Sequence, residues 1–283
     1  MNRLTLSERA NVIGCLVEGN SIRAASRITG AAKNTIVGLL VRVGEGCAAY
    51  QDQSIRGLHS RRVQCDEIWS FCYAKQKNLP PERQGEFGYG DAWTWTAIDA
   101  ETKLVLSFMI GDRDIDTART FIDDLAGRLA NRVQLTTDGH YAYLEAVEGA
   151  FGSEIDYAML QKLYGASDEG QRRYRPAKCV GTRTQVVEGR PDPASISTSF
   201  VERQNLTMRM SMRRFTRLTN GFSKKVENLA AAVALHFMHY NFARPHQTLT
   251  KANRGRITTP AMAAGLAARP WTLEEIAALE KSD

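Results

Sequence analysis

The apolar residues of this chain first change their spacing near Arg62, from the period of a helix to that of a strand. That switch limits the fold more than any other feature, because an amphipathic helix and a half-buried strand cannot share one periodicity. After it, alternation predicts strands over residues 63–73, 92–99 and 104–110, the last two joined by a turn around Asp99-Ala100-Glu101-Thr102. A helix over 116–129 follows, striped by Ala118, Phe121, Ile122, Leu125 and Leu129. Then come a fourth strand over 132–136 and a helix over 141–151. Residues 155–197 read as strands and turns, including Pro191 and Pro193, and helices follow over 198–212 and about 223–242.

Strand, strand, strand, helix, strand, helix, irregular segment, helix is the element order of a ribonuclease H-like fold. The expected class is therefore α/β, a mixed sheet flanked by helices. That fold carries carboxylates on the first strand, at the end of the fourth and on a later helix. The sequence supplies Asp66, Asp138 and Glu202 there. Three hard oxygen ligands suit Mg²⁺ or Mn²⁺ rather than zinc. Two such ions ~3.5–4 Å apart serve phosphodiester displacement. Glu67 neighbours Asp66 in one strand, so alternation sends the two side chains to opposite faces and admits only one to the site. Asp138 by itself also reads as a helix N-cap before Tyr141.

Ahead of the switch, a helix is expected from Ser7 to Glu18, a second from Ser21 to Gly30 and a third from Lys33 to Val43. Ile36, Leu39, Leu40 and Val43 stripe the third, leaving Asn34, Gly38 and Arg42 opposite. Residues 1–46 thus fit a small all-α helix-turn-helix domain, with Lys33, Asn34 and Arg42 reaching a major groove. A generic three-helix bundle has the same pattern, and periodicity does not separate them. Residues 47–62, with Arg56, Arg61 and Arg62, read as a basic linker. Residues 63–250 form the main domain, and 251–283 a tail with a short helix.

Charge is segregated along the 283 residues. Net charge is +5 over 1–62, −9 over 63–160, +12 over 161–260 and −2 over the rest. Basic segments around an acidic centre point to a polyanion held over carboxylates, although charged blocks also serve simply as solvated faces. Five cysteines without a CxxC pair fit a reducing compartment and argue against a zinc ribbon. No apolar run is long enough to span a membrane, and the N-terminus lacks a signal-peptide plan, so no membrane partner and a cytoplasmic location are expected.

Three blocks carry a resemblance. Cys65-Asp66-Glu67-Ile68-Trp69-Ser70-Phe71, Leu135-Thr136-Thr137-Asp138-Gly139-His140 and Ser199-Phe200-Val201-Glu202-Arg203-Gln204-Asn205 resemble the DDE blocks of bacterial insertion-sequence transposases, nearest to the insertion-sequence-one (IS-one) family. The resemblance implies an enzyme that binds terminal inverted repeats in double-stranded DNA. It would hydrolyse DNA at the element ends with two Mg²⁺ or Mn²⁺ ions on Asp66, Asp138 and Glu202, and transfer the 3′-hydroxyl into target DNA. It implies a homodimer or larger assembly on DNA, in the bacterial nucleoid. No GxxxxGK[ST] loop calls for ATP.

Glu202, Asn205 and Arg209 share one helical face by their spacing. Asn205, His140 and Glu67 are read as supports around the ligands. His140 serves equally as an ordinary hydrogen-bonded group, and Glu67 as an ion-pair partner. Arg209, Arg213, Arg214, Arg217, Lys224 and Lys225 are read as DNA-backbone contacts. Trp69, Trp93 and Trp95 read mainly as core. The 64 residues between Asp138 and Glu202 exceed the compact form of the fold and imply an insertion over about 152–197, whose Arg172, Arg173, Arg175 and Lys178 are basic enough to touch DNA. Two rivals stand beside this reading. One is a catalytically silent repressor derived from a transposase, and the other a ribonuclease H-fold nuclease without strand transfer.

Overall fold

The computed structural model describes residues 4–165, 179–216 and 220–281. Arg172, Arg173, Arg175, Lys178 and Arg217 lie outside the described residues.

Three helices open the chain, α1 (Leu6–Val17), α2 (Ile22–Thr29) and α3 (Lys33–Ser54). Thr5, not Ser7, caps α1, because Thr5 and Glu8 form a capping box. Ser21 caps α2, and Gly30 closes it at φ 75°, a left-handed conformation that suits glycine.

The expected linker is helical over its first half, since α3 runs on to Ser54 and buries Cys47 and Gln51. Gly44 and Gly46 do not break α3. They let other backbone approach it. A Cβ on Gly44 would lie 2.5 Å from the Ala231 carbonyl oxygen, and one on Gly46 would overlap Leu279.

The sheet strands are β1 (Arg62–Cys72), β2 (Gly90–Asp99), β3 (Val105–Gly111), β4 (Gln134–Thr137), β5 (Asp156–Tyr164) and β6 (Cys179–Glu188), in the order β3-β2-β1-β4-β5-β6. β1, β2 and β3 are antiparallel, β4 and β5 run parallel to β1, and β6 returns antiparallel to β5. This topology is consistent with a ribonuclease H-like sheet. The insertion starts later than expected, because residues 156–164 form a sheet strand in register with β4, and β6 widens the sheet.

Helices cover both faces. On one, α4 (Ile115–Ala126) and α5 (Ala142–Phe151) bring Phe121 and Tyr143 onto Trp95, with ring centroids 5.9 and 5.3 Å away. On the other lie α6 (Ser199–Ser211) and α7 (Val226–Met238), where Phe237 meets Phe108 at 4.9 Å. α3 packs along α7, and Gln51 donates from its amide to the Ala234 carbonyl. After α7, a π-helical turn His239–Ala243 buries Asn241, whose side chain accepts from the Val105 amide and donates to its carbonyl, at 2.9 and 3.0 Å. Asn241 thereby completes the free edge of β3.

The tail carries α8 (Gln247–Ala252), α9 (Pro260–Ala263) and α10 (Leu273–Ala277). Trp271 packs on Tyr50 and Phe242, at 4.7 and 5.6 Å. α10 then lies against α1, so the two ends of the chain share one core. No described helix is long and apolar enough to cross a membrane.

Candidate active site

The site forms where β4 stops. β1 pairs with β4 only from Arg62 to Gln64, so past Gln64 the β1 backbone has an open flank. Asp66 lies on β1 just past that point, and Asp138 directly follows the last β4 residue. Glu202 sits in the first turn of α6.

Three hydrogen bonds lock α6 against β1. The Gln64 side-chain oxygen accepts from the backbone amides of Phe200 and Val201, at 2.8 and 3.2 Å, and so satisfies donors that a helix N-terminus leaves open. One turn beyond Glu202, Asn205 donates from Nδ2 to Asp66 Oδ2 at 2.8 Å. Thr198 donates to Glu202 Oε1 at 2.5 Å.

Glu67 forms the ion pair open to it in the sequence, with Arg113, and its carboxylate also joins the cluster. Ligand oxygens of Asp66, Glu67 and Asp138 all lie within 4.8 Å of one another. With β4 ended, side chains from both faces of β1 reach round the open flank to Asp138.

Glu202 lies outside that closest group. It borders the same open cleft of about 850 Å³, together with Asp66, Glu67, Asp138, Asn205 and Arg209. There it pairs with Lys162 of β5. Arg113, in the turn before α4, spans Glu67 and Asp138, at 3.3 and 3.5 Å. The Arg113 guanidinium also stacks 4.9 Å from the Trp93 ring centroid.

The electrostatics are those of crowded anions. Burial, and then the Asp138 charge, pushes the Asp66 carboxyl up to about 7. The same two causes push Glu67 up to about 7. Glu67 is almost fully buried, and the buried Tyr143 hydroxyl beside it offsets only part of that rise. Asn205 Oδ1 is buried and has no hydrogen-bond partner among the described residues. An unsatisfied hard oxygen beside three crowded carboxylates fits a divalent cation of the Mg²⁺ or Mn²⁺ kind.

His140 donates its backbone amide to Asp138 Oδ1 at 2.9 Å, while its buried ring lies 5.8 Å from Trp95. Burial first, and then Arg113, hold the His140 imidazole below its usual range. Its contact with the site is thus through the backbone.

The expected DNA contacts divide into groups. Arg209 borders the carboxylate cleft. Lys33, Arg213, Arg214 and Lys224 border a separate cleft of about 860 Å³ between the N-terminal helices and the segment before α7. Asn34 and Lys225 are exposed. Arg42 is ion-paired where the tail meets α3. Its Nε donates to Glu280 at 2.7 Å, because the tail packs on that side of α3, and Glu280 also binds Arg9.

Sequence reasoning missed Gln64, Arg113 and Lys162. Gln64 carried a usable signal, a polar residue two before Asp66 on the same strand face. Arg113 and Lys162 carried none, since only the folded sheet brings them near.

No protein-family model matches the chain, and no curated protein matches it. Solved structures do. The piggyBac transposase in its synaptic complex with hairpin DNA shares 11% identity, with 97% of this chain and 70% of that one covered, at a TM-score of 0.41. The Mos1 transposase in its strand transfer complex shares 13%, covering 85% and 78%, at 0.25. The Mos1 paired-end complex with the left transposon end shares 14%, covering 53% of this chain and 58% of that one, at 0.21. At such distances these likenesses carry no weight for function, which rests on the carboxylates.

Proposed function

We propose that this chain is a DNA transposase of the DDE kind, akin to the bacterial insertion-sequence-one family, and that Asp66, Asp138 and Glu202 are its catalytic carboxylates. The convergence of three carboxylates, from blocks far apart in sequence, on one open cleft carries the reading. The cleft is wide and polar, as a polymeric substrate requires.

Asp66, Asp138 and Glu202 would hold the divalent ions, with the Glu67 carboxylate and the unpartnered Asn205 Oδ1 beside them. The chemistry supplied by a bound pair of Mg²⁺ or Mn²⁺ ions is activation of an attacking oxygen and stabilisation of a leaving one. Arg113 and Lys162 neutralise the carboxylates in the free protein. On the enzyme they turn to the scissile phosphate, where cations stabilise developing charge. Arg209 holds the DNA backbone at the cleft rim. Lys33 and Asn34, exposed on the first turn of α3, contact the terminal repeats. A dimer or larger assembly joins the two ends, in the bacterial nucleoid.

The test is a joining reaction. Full-length protein, Mg²⁺ or Mn²⁺, a labelled duplex carrying the repeats that flank the gene and a plasmid target are combined. Labelled ends become covalently joined to plasmid, and Asp66→Asn, Asp138→Asn and Glu202→Gln each abolish cleavage while end binding persists. Cleavage without joining establishes a nuclease instead. Tight binding with neither product establishes a repressor.

A further inference from the structure

Past the carboxylates, the same face of β1 turns aromatic and opens to solvent. Trp69 is 38% exposed and Phe222, from the segment before α7, is 37% exposed. Between them lies Phe71, with ring centroids 5.7 Å from Trp69 and 5.0 Å from Phe222, the latter pair stacked at 28°. Lys75 Nζ stands 5.8 Å from the Trp69 centroid and 5.9 Å from that of Phe71. Of the three tryptophans expected to be core, only Trp95 is fully buried.

The row is continuous with the candidate active site. Glu67, Trp69 and Phe71 share one face by the two-residue period of a strand, and Trp93 pairs directly across from Trp69. Arg113 stacks on Trp93 and reaches Glu67 and Asp138. Trp69 lies about 7 Å along the strand from Glu67, two of the ~3.4 Å steps that separate stacked bases. At its far end Phe222 also borders the second cleft, with Arg23, Lys33, Arg213, Arg214 and Lys224. None of the described residues bordering that cleft is acidic.

We infer that Trp69, Phe71 and Phe222 form a stacking platform for unpaired bases of the DNA strand that enters the carboxylate site, with its phosphates running toward the second cleft. The inference rests on the transposase reading and adds that the DNA is unpaired next to the reacting phosphate. Ring faces accept any base, and cations beside them hold the backbone. A second copy of this chain is the competing occupant of an exposed aromatic row. Charge disfavours it, because a two-fold contact would bring Lys75 and the basic cleft against their own like.

Two probes test this with the full-length chain. One is a fully paired duplex. The other has the same duplex extended by a short unpaired stretch, with 2-aminopurine at the first unpaired position. The wild type binds the extended probe more tightly and quenches its fluorescence. Trp69→Ala weakens binding of the extended probe by about 5- to 150-fold, which is ~1–3 kcal/mol at about 1.4 kcal/mol per tenfold. Binding of the paired duplex changes less than about twofold. Trp69→Phe keeps most of the quenching, and Phe222→Ala repeats the loss from the other end of the row. Equal binding of both probes without quenching overturns the platform and leaves the transposase reading intact. Failure to bind either probe overturns both. If Trp69→Ala alters sedimentation and not quenching, the row is a self-association surface.

Discussion

Asn205 and Asp66, 139 residues apart in sequence, are joined by a 2.8 Å hydrogen bond from the Asn205 amide nitrogen to Asp66 Oδ2. The bond does two things. It orients the carboxylate, and it sets the register of α6, so that Glu202 one turn earlier faces the same cleft. Asn205→Ala is expected to lower metal-dependent cleavage by about 10- to 100-fold, the usual effect of losing such a support. DNA binding stays near wild type. Cleavage at the wild-type rate would show that Asp66 needs no such orientation. Gln64→Leu is the companion variant, since it strips the acceptor from two amides of α6 while leaving every carboxylate in place.

Arg113 is the charge partner of both Glu67 and Asp138. Arg113→Gln should leave those carboxylates without a cation and lower the melting temperature of the metal-free protein. The loss is about 1 kcal/mol or less, because Arg113 is 38% exposed and water screens it. Added Mg²⁺ or Mn²⁺ should then raise the melting temperature more in the variant than in the wild type, since the ion replaces the missing charge. Equal increments in both proteins would mean that Arg113 does not balance the metal-binding carboxylates.

The sheet and its carboxylates were legible because they are local patterns. Two-residue alternation marked β1 to β4, and the three blocks marked Asp66, Asp138 and Glu202. What stayed hidden depended on where chain ended or came together. Glu67 reads as a support or ion-pair partner and not as a member of the cluster, because strand alternation says nothing of where β4 stops. The Arg42 ion pair is invisible in the sequence because its partner Glu280 lies 238 residues away. Trp69 was read as core because a strand pattern does not reveal which rows the helices leave uncovered. The expected third helix stops at Val43, but α3 continues through Gly44 and Gly46, which are sites of close packing.

That last point is testable at Gly44, where α3 and α7 meet. A Cβ there would lie 2.5 to 2.6 Å from Ala231 backbone and side-chain atoms, too close for any rotamer change to relieve. Gly44→Ala gains helix propensity of ~1 kcal/mol. Overpacking, typically ~1–3 kcal/mol, exceeds that gain when backbone must move. The variant should therefore have a lower urea midpoint than wild type. A higher midpoint would mean that α3 and α7 are further apart than described.

His236 gives a pH signature with a definite sign. It is 3% exposed on α7, its Nδ1 has no partner among the described residues, and its Nε2 lies 3.4 Å from the Gln204 amide nitrogen. Burial above all, with His239 and Arg244 adding repulsion, pulls the imidazole down to about 3. An unfolded histidine titrates near 6.5. Between these values the unfolded chain binds the extra proton, so stability falls as pH drops through about 6.5 toward 3. At about pH 5 the loss relative to neutral pH is on the order of 2 kcal/mol. Asp66 and Glu67 act oppositely. Their folded pKa, raised to about 7, makes the folded chain the better proton binder between ~4 and 7, so acidification over that window favours the fold. Total stability therefore mixes the two trends, and the comparison that isolates the histidine is wild type against His236→Gln. Urea titrations of both, from about pH 7 to about pH 5, should show the wild type losing ~2 kcal/mol more than the variant. Parallel curves would mean that His236 takes up its proton in the folded protein.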